Sequence, residues 1–205
     1  MDKKGFSDSV YGLVLAGGKS TRMGHDKGKI SWHGVEQRYF LADLLGKVAE
    51  KPFISIRAEQ KNEIDPKYST IIDSYENLGQ FGAILSALDK YPGKAFLVVA
   101  CDLPLIDKNV LEYLLKKRDK KKLATAFISS YDNLPEPLAA IWEPESKVRL
   151  LQLLNEGITC PRKALIKSSD NVNLIKPLFF ESTMNANTPE DAKKAEKILK
   201  ERGFN

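Results

Sequence analysis

Residues 11–27, YGLVLAGGKSTRMGHDK, decide the fold that the sequence predicts. An apolar run, residues 10–16, ends abruptly at Gly17 and Gly18, which is typical of a buried strand in a parallel sheet. Two adjacent glycines let the backbone turn tightly and present N–H groups to an anion. Three cations follow in the same stretch: Lys19, Arg22 and Lys27. The stretch therefore predicts a strand and then a loop that holds the phosphates of a nucleotide.

Two well-known phosphate loops do not fit this stretch. A Walker A loop reads G-x-x-x-x-G-K-[ST]. Gly18, Lys19 and Ser20 supply its end, but Leu13 occupies the position of its first glycine. The dinucleotide fingerprint G-x-G-x-x-G is absent as well. From these residues alone, an ordinary strand-to-helix turn with solvated charges remains an alternative.

The whole pattern is more specific than its parts. The run LAGGKSTRMGHDK resembles the signature L-A-G-G-x-S-x-R-M-G-x-D-K of small nucleotidyltransferases, in particular the molybdenum cofactor guanylyltransferases. The matching residues are Leu15, Ala16, Gly17, Gly18, Ser20, Arg22, Met23, Gly24, Asp26 and Lys27. Cofactor cytidylyltransferases usually carry alanine at the position of Gly17, so the resemblance favours the guanylyltransferases.

The resemblance implies a single Rossmann-like α/β domain, similar to the nucleotide-diphospho-sugar transferases. It implies Mg²⁺-dependent transfer of GMP from GTP to Mo-molybdopterin, with transient contacts to cofactor-synthesis proteins or molybdoenzyme apo-proteins. The residues it assigns to nucleotide binding are Leu15, Ala16, Gly17, Gly18, Lys19, Lys27, Asp73 and Asp102. A cytidylyltransferase, a transferase acting on another phosphorylated acceptor and a non-catalytic nucleotide or cofactor carrier remain alternatives.

Composition limits the partners. A chain of 205 residues with 42% hydrophobic content fits one domain, residues 1–205 with a core at about 10–200. The net charge of +5 favours an anionic substrate over nucleic acid, and the cationic run at residues 116–122 is expected to be a solvated helix end. Cys101 and Cys160 imply no disulfide scaffold. With neither a long apolar run nor a signal-peptide core, we expect a cytoplasmic protein without membrane contact.

Strands and helices alternate along the chain, which predicts a mostly parallel sheet with helices on both faces. The expected strands are residues 10–16, 52–56, 69–72, 94–100, 123–128, 137–142 and 172–175. The expected helices are residues 34–49, 81–91, one around 111–115, 144–154 and one from a Thr188 cap to about 202. Ligands of such sheets bind beyond the carboxyl ends of the strands. The glycine loop, Arg57, Asp73 and Asp102 all fall at such ends.

Asp102 follows the apolar run KAFLVVA and is the candidate metal ligand. Mg²⁺ prefers one or two carboxylates together with phosphate oxygens and water. A capping role for Asp102 is disfavoured because the next helix begins near Asp107, too far along the chain. The resemblance assigns the same metal role to Asp102.

Nucleotidyl transfer needs alignment and charge neutralisation more than covalent catalysis. We expect Lys27 to neutralise charge on the transferring phosphate, and Lys19 and Arg22 to hold the outer phosphates. Together with Asp102, Lys27 and Arg22 form the candidate catalytic set. Asp73 matches a nucleotide-contacting aspartate of the family, but a turn-forming aspartate is nearly as good an interpretation.

The acceptor side carries weaker motifs. Asn185 and Asn187 lie in a run, NANTP, that resembles the N-x-N-T-P-E motif of the family, and they would face the same way on a strand. Arg162 and Lys163 suit an anionic second substrate, with simple surface charge an equal alternative. Four residues depart from the family pattern: Arg57, Gln80, Ala83 and Glu136, the last directly before a Pro-Leu-x-Ala run.

Overall fold

The computed structural model describes residues 10–16 and 27–203. Within these residues, seven strands form one sheet in the order β3-β2-β1-β4-β6-β5-β7. The strands are β1 (Val10–Leu15), β2 (Pro52–Ile56), β3 (Thr70–Ile72), β4 (Ala95–Ala100), β5 (Ala124–Ile128), β6 (Pro135–Trp142) and β7 (Val172–Ile175). All neighbouring pairs are parallel except the two made by β6, which runs antiparallel to β4 and β5. The predicted α/β domain with a mostly parallel sheet is confirmed.

Helices flank this sheet. The α-helices are α1 (Gln37–Leu45), α2 (Gly79–Lys90), α3 (Lys108–Lys116), α4 (Ser146–Asn155), α5 (Pro161–Ile166) and α6 (Pro189–Glu201). Every residue of β4 and of β6 is buried. Since successive side chains of a strand point to opposite faces, both faces of the sheet centre are covered. The long apolar runs of the sequence follow from that double burial. Among the described residues, no helix combines the length and apolar character that crossing a membrane requires.

Most element boundaries agree with the sequence, and α6 shows why. Thr188 caps the helix by accepting a hydrogen bond from the Asp191 N–H at 3.1 Å, while Asp191 accepts one from the Thr188 N–H at 3.0 Å. Pro189 occupies the first turn, where its missing N–H costs nothing. The predicted cap at Thr188 and the predicted end near Arg202 are confirmed.

The second half of the chain differs from the expected elements in two places. The segment containing Asn185 and Asn187 is not a strand, because the N–H of the intervening Ala186 donates to the Asp102 carbonyl oxygen at 2.8 Å, beyond the end of β4. Helix α5 was not expected at all. It has six residues and is too short to show a helical period in the sequence.

The direction of β6 brings its first residues to the end of the sheet where β4 ends. Val99 of β4 pairs with Ala139 of the antiparallel β6. Continuing that register toward the end of β4 brings Asp102 alongside Glu136, and their carboxyl groups do interact electrostatically. The start of β6 and the carboxyl ends of β1 to β4 therefore lie at one edge.

Candidate active site at the sheet edge

Backbone hydrogen bonds join the ends of the first four strands. The Asp73 N–H donates to the Ile56 carbonyl at 2.9 Å, and the Ala16 N–H donates to the Ser55 carbonyl at 3.3 Å. On the other side, the Cys101 N–H donates to the Leu15 carbonyl at 3.4 Å. The edge therefore presents Asp73, Arg57, Ala16 and Asp102 in the order of their strands, β3-β2-β1-β4.

The phosphate loop itself falls largely outside the described residues. Gly17, Gly18, Lys19 and Arg22 lie there, and so does the side chain of Lys27. Leu15 is the last residue of β1, and Ala16 is buried directly after it. The roles predicted for the loop residues stay predictions.

Asp73 is half-buried and held by a neighbour that the sequence analysis missed. Ser55, fully buried on β2, donates its hydroxyl to Asp73 Oδ1 at 2.5 Å. Burial raises the pKa of Asp73 to about 6, although the Ser55 hydrogen bond and the Arg57 charge oppose the rise. A lone serine in the apolar strand PFISI was the available signal. Asp73 therefore has a fixed orientation and changes charge near neutral pH.

Helix α2 fixes the loop that follows Asp73. The Ser86 hydroxyl accepts a hydrogen bond from the Ser74 N–H at 2.9 Å. A side chain on Gly82 would collide with the carbonyl oxygen of Tyr75, so the loop packs directly on the helix backbone. Ala83, one of the departures from the family pattern, is buried in the core and Gln80 is exposed. The part of the edge that carries Asp73 is thus supported by packing against α2.

Arg57 starts a short 3₁₀-helix (Ala58–Glu63) at the end of β2. Its Nε donates to Glu59 Oε1 at 2.6 Å, and its backbone N–H donates to Gln60 Oε1 at 3.0 Å. Its charge also opposes the rise that burial causes in the pKa of Asp73. A cation therefore stands beside Asp73 where the family resemblance leads us to expect an asparagine.

Asp102 is not a helix cap. Asp107 caps α3 by accepting from the Val110 N–H at 2.9 Å, which confirms the argument from spacing. Asp102 is half-buried just beyond β4, with its Oδ1 atom inside the protein. The Ala186 N–H holds its carbonyl oxygen. The backbone of Asp102 is therefore anchored to the segment that carries Asn185 and Asn187.

Glu136 is the functional candidate that the sequence analysis noted only as a departure. It is 2% exposed, and its Oε2 accepts from Arg162 Nη2 at 3.0 Å while its Oε1 accepts from the Leu138 N–H at 3.2 Å. Burial raises the pKa of Glu136 and the Asp102 carboxylate adds to the rise, whereas Arg162, Leu138 and a side-chain hydrogen bond from Asn185 oppose it. Glu136 thus lies at the centre of a group of side chains: it is hydrogen-bonded to Arg162 and has Asp102 and Asn185 as neighbours.

The four predicted acceptor residues are placed differently. Arg162 donates to Glu136 and, through Nη1, to Asp132 Oδ2 at 2.6 Å. Its guanidinium therefore forms ion pairs with two carboxylates. Asn185 lies against Glu136. Asn187 leads into α6, its N–H donating to Asp191 at 3.1 Å, and Lys163 is exposed on α5. The structure therefore groups Arg162 and Asn185 around Glu136.

The charges of this group suit a divalent cation. In the part of the site that the structure describes, Asp102, Glu136 and Asp132 supply three carboxyl groups and Arg162 supplies one guanidinium. Among the described residues, no three His, Cys, Asp or Glu side chains form a ready-made metal centre. Mg²⁺ commonly binds to one or two carboxylates and completes its shell with phosphate oxygens and water. Asp102 fits that mode.

Known proteins resemble this chain in sequence. The family model for the MobA-like NTP transferase domain matches residues 12–172. A molybdenum cofactor biosynthesis bifunctional protein of Synechocystis is 36% identical over 183 residues, which are 89% of this chain but only 52% of that protein. A probable molybdenum cofactor guanylyltransferase of Natronomonas pharaonis is 26% identical, with 92% of this chain and 97% of that protein aligned.

Solved structures share the fold. Molybdopterin-guanine dinucleotide biosynthesis protein A from Archaeoglobus fulgidus has a TM-score of 0.76 and 24% identity, covering 94% of this chain and 100% of its own. A 2-C-methyl-D-erythritol 4-phosphate cytidylyltransferase from Thermus thermophilus has a TM-score of 0.70 at 10% identity, covering 94% and 99%. These likenesses show that the chain shares their fold. The chain belongs to the MobA-like NTP transferase domain family and is a nucleotidyltransferase similar to the molybdenum cofactor guanylyltransferases.

Proposed function

We propose that the chain transfers GMP from GTP to the phosphate of Mo-molybdopterin and releases pyrophosphate. In this reaction an acceptor phosphate oxygen bonds to the α-phosphorus of GTP, and the bond to the β-phosphate breaks. The leaving pyrophosphate takes the electron pair, so no covalent bond to the protein is needed. The observation that carries the proposal is the clustering of Asp102 with Glu136, Arg162 and Asn185 beside the end of β1.

Each half of the edge has its own task in this proposal. On the β1 to β3 side, Leu15, Ala16 and the glycine loop receive the nucleotide, and Asp73 contacts it in an orientation fixed by Ser55. Lys19 and Arg22 hold the outer phosphates, and Lys27 neutralises the phosphate that is transferred. On the β4 and β6 side, Asn185 and Asn187, with Arg162 and Lys163 nearby, receive the acceptor. Each group is thereby aligned on one side of the transferred phosphorus.

Asp102 is the residue that would hold Mg²⁺ in this site. When bound, Mg²⁺ neutralises charge on the phosphates as a Lewis acid. The neighbouring Glu136 carboxyl group favours a cation beside Asp102, and the family resemblance assigns the same role. Glu136 has both oxygens engaged by hydrogen-bond donors, which makes its carboxyl group less available to a metal ion.

The test is pyrophosphate release by the purified full chain with Mg²⁺ and each nucleoside triphosphate in turn. Reactions with and without Mo-molybdopterin separate transfer from simple hydrolysis. We expect release that requires both GTP and the acceptor. A preference for CTP would replace the guanylyltransferase proposal by a cytidylyltransferase. Nucleotide binding without any release would indicate a carrier.

A further inference from the structure

We propose that Glu136 is a positioning residue for the acceptor half of the site, where its carboxylate holds Arg162 and Asn185 in place beside Asp102. This inference rests on the proposed function for the identity of the acceptor. Nothing in the sequence resemblance gives Glu136 a role, and the structure alone brings it to the centre of the cluster.

The contacts of Glu136 show that it acts through its neighbours. Its Oε2 accepts from Arg162 Nη2 at 3.0 Å and its Oε1 from the Leu138 N–H at 3.2 Å. The side chain of Asn185 lies near the same carboxyl group and acts to lower its pKa, while its Nδ2 donates to the Thr183 carbonyl oxygen at 3.4 Å. Donors thus approach both oxygens, and the side chain is 2% exposed. A carboxylate so enclosed is suited to orient the groups that donate to it.

The position of Glu136 is unfavourable for stability alone. Burying a carboxylate requires compensation, and a second carboxylate nearby makes burial harder. Arg162 compensates from one side, but Asp102 lies on another and its charge acts against ionised Glu136. Such an arrangement is explained when the pair serves a binding site. Glu136 then keeps Arg162 and Asn185 close to the carboxylate proposed to hold the metal.

The elements involved place this effect on the acceptor side. Arg162 lies on α5, and Asn185 lies in the segment before α6 that bonds to the Asp102 backbone. Asp73 directly follows β3 and Ser55 lies on β2, on the far side of β1 from β4. Loss of Glu136 is therefore expected to disturb acceptor binding and to spare nucleotide binding.

The chain offers a matched control at the other end of β6. Glu143 is also 2% exposed and also accepts from an arginine, with Arg118 Nε and Nη2 both at 2.6 Å. Glu136→Gln and Glu143→Gln each neutralise one buried carboxylate next to an arginine. Only the first lies at the proposed site. Any difference in substrate kinetics between them reports on position and not on the loss of a buried charge.

The experiment measures steady-state kinetics of both full-length variants with GTP, Mg²⁺ and Mo-molybdopterin. For Glu136→Gln we expect the acceptor KM to rise about tenfold, the size of a lost charge-assisted hydrogen bond. The KM for GTP and the Mg²⁺ concentration for half-maximal rate should stay within about twofold. Glu143→Gln should match wild type in all three quantities once rates are expressed per folded molecule.

A second readout does not depend on turnover. In ¹H–¹⁵N spectra, the side-chain signals of Asn185 and Arg162 should shift and exchange faster with water in Glu136→Gln, but not in Glu143→Gln. Unchanged Asn185 and Arg162 signals would overturn the inference. So would an Mg²⁺ requirement raised tenfold with an unchanged acceptor KM, since Glu136 would then act at the metal. If wild type shows no transfer at all, the proposed function fails, and the spectra still decide whether Glu136 holds these side chains.

Discussion

The two ends of β6 carry the same kind of group in two different settings. At its far end, Glu143 is buried against Arg118 with two short hydrogen bonds, so the charges balance one to one. At its near end, Glu136 is equally buried, but its arginine is shared with Asp132 and its other neighbours include Asp102. A buried carboxylate paired with arginine is therefore not evidence of a site. Among the described residues, what distinguishes the near end is that the carboxyl groups of Asp132 and Asp102 lie beside the Glu136–Arg162 pair.

The largest expected effect is that of removing the Asp102 carboxylate. Asp102→Ala should lower Mg²⁺-dependent turnover by roughly a thousandfold, about 4 kcal/mol, because a metal anchor for the transferring phosphate is lost. The fold should survive, since Asp102 lies beyond the end of β4. Turnover and thermal melting of the purified variant check both statements. A folded Asp102→Ala protein with near-normal turnover would remove the metal assignment.

The second prediction compares the removal of Arg118 with the removal of Arg162. Arg118→Ala leaves Glu143 buried without its partner and should cost about 3 kcal/mol of stability, with turnover per folded molecule unchanged. Arg162→Ala should cost less stability, because Arg162 is more exposed and Glu136 keeps the hydrogen bond from the Leu138 N–H. It should instead lower turnover at limiting acceptor.

Urea unfolding and acceptor-dependent rates measure the two quantities for both arginine variants. Equal losses of stability and of turnover in Arg118→Ala and Arg162→Ala would show that the two ends of β6 do not differ in function. A loss of turnover in Arg118→Ala alone would reverse the assignment.

The third prediction uses the pKa of Asp73, which is raised in the folded protein to about 6. At low pH the Asp73 carboxyl is protonated in both the folded and the unfolded protein and does not affect the free energy of unfolding. As pH rises through the unfolded value of 3.8, the unfolded chain ionises first, so folding loses stability until the folded group ionises at about pH 6. Asp73→Asn should remove this loss and gain about 2 kcal/mol at pH 7, after discounting for partial exposure.

Unfolding free energies of wild type and Asp73→Asn at pH 4 and pH 7 test this sign. The difference between the two proteins should be larger at pH 7. If Asp73 contacts the nucleotide, the same variant should bind GTP more weakly despite its greater stability. A difference that shrinks at pH 7 would contradict the raised pKa.

The smallest expected effect concerns the base. Gly17 stands where cofactor cytidylyltransferases usually carry alanine, so GTP should be preferred over CTP by at least roughly tenfold in kcat/KM, about 1.4 kcal/mol. If residues on the β1 to β3 side determine the base preference, Glu136→Gln should leave the ratio of kcat/KM for GTP and CTP unchanged. Side-by-side turnover of wild type and Glu136→Gln with the two nucleotides measures it. A preference for CTP, or a ratio that follows Glu136, would contradict the division into two halves.

The sequence predicts the first half of this site well, for a physical reason. Strands β1, β2 and β4 are covered on both faces or nearly so, and their continuous apolar runs end at polar residues that mark the sheet edge. The position of Asp102 follows from the end of β4, and that of Asp73 from the end of β3. The resemblance then supplies their roles.

The second half could not be predicted in the same way. An apolar run does not show its direction, and only the antiparallel pairing of β6 turns Glu136 toward Asp102. Arg118 lies in a run of cations that predicts a solvated helix end, yet its side chain is only 11% exposed because Glu143 lies beneath it. The position of Glu136 and the burial of Arg118 both depend on contacts between distant parts of the chain, which the local sequence does not reveal.

The most direct test of nucleotidyl transfer at this edge follows the label of GTP. The full chain is incubated with Mg²⁺, Mo-molybdopterin and GTP labelled on the α-phosphate or, in parallel, on the γ-phosphate. We predict that the α-label appears on the acceptor, the γ-label appears in pyrophosphate, and Asp102→Ala abolishes both. An α-label that stays in free nucleotides, or a γ-label that reaches the acceptor, would contradict the proposed reaction.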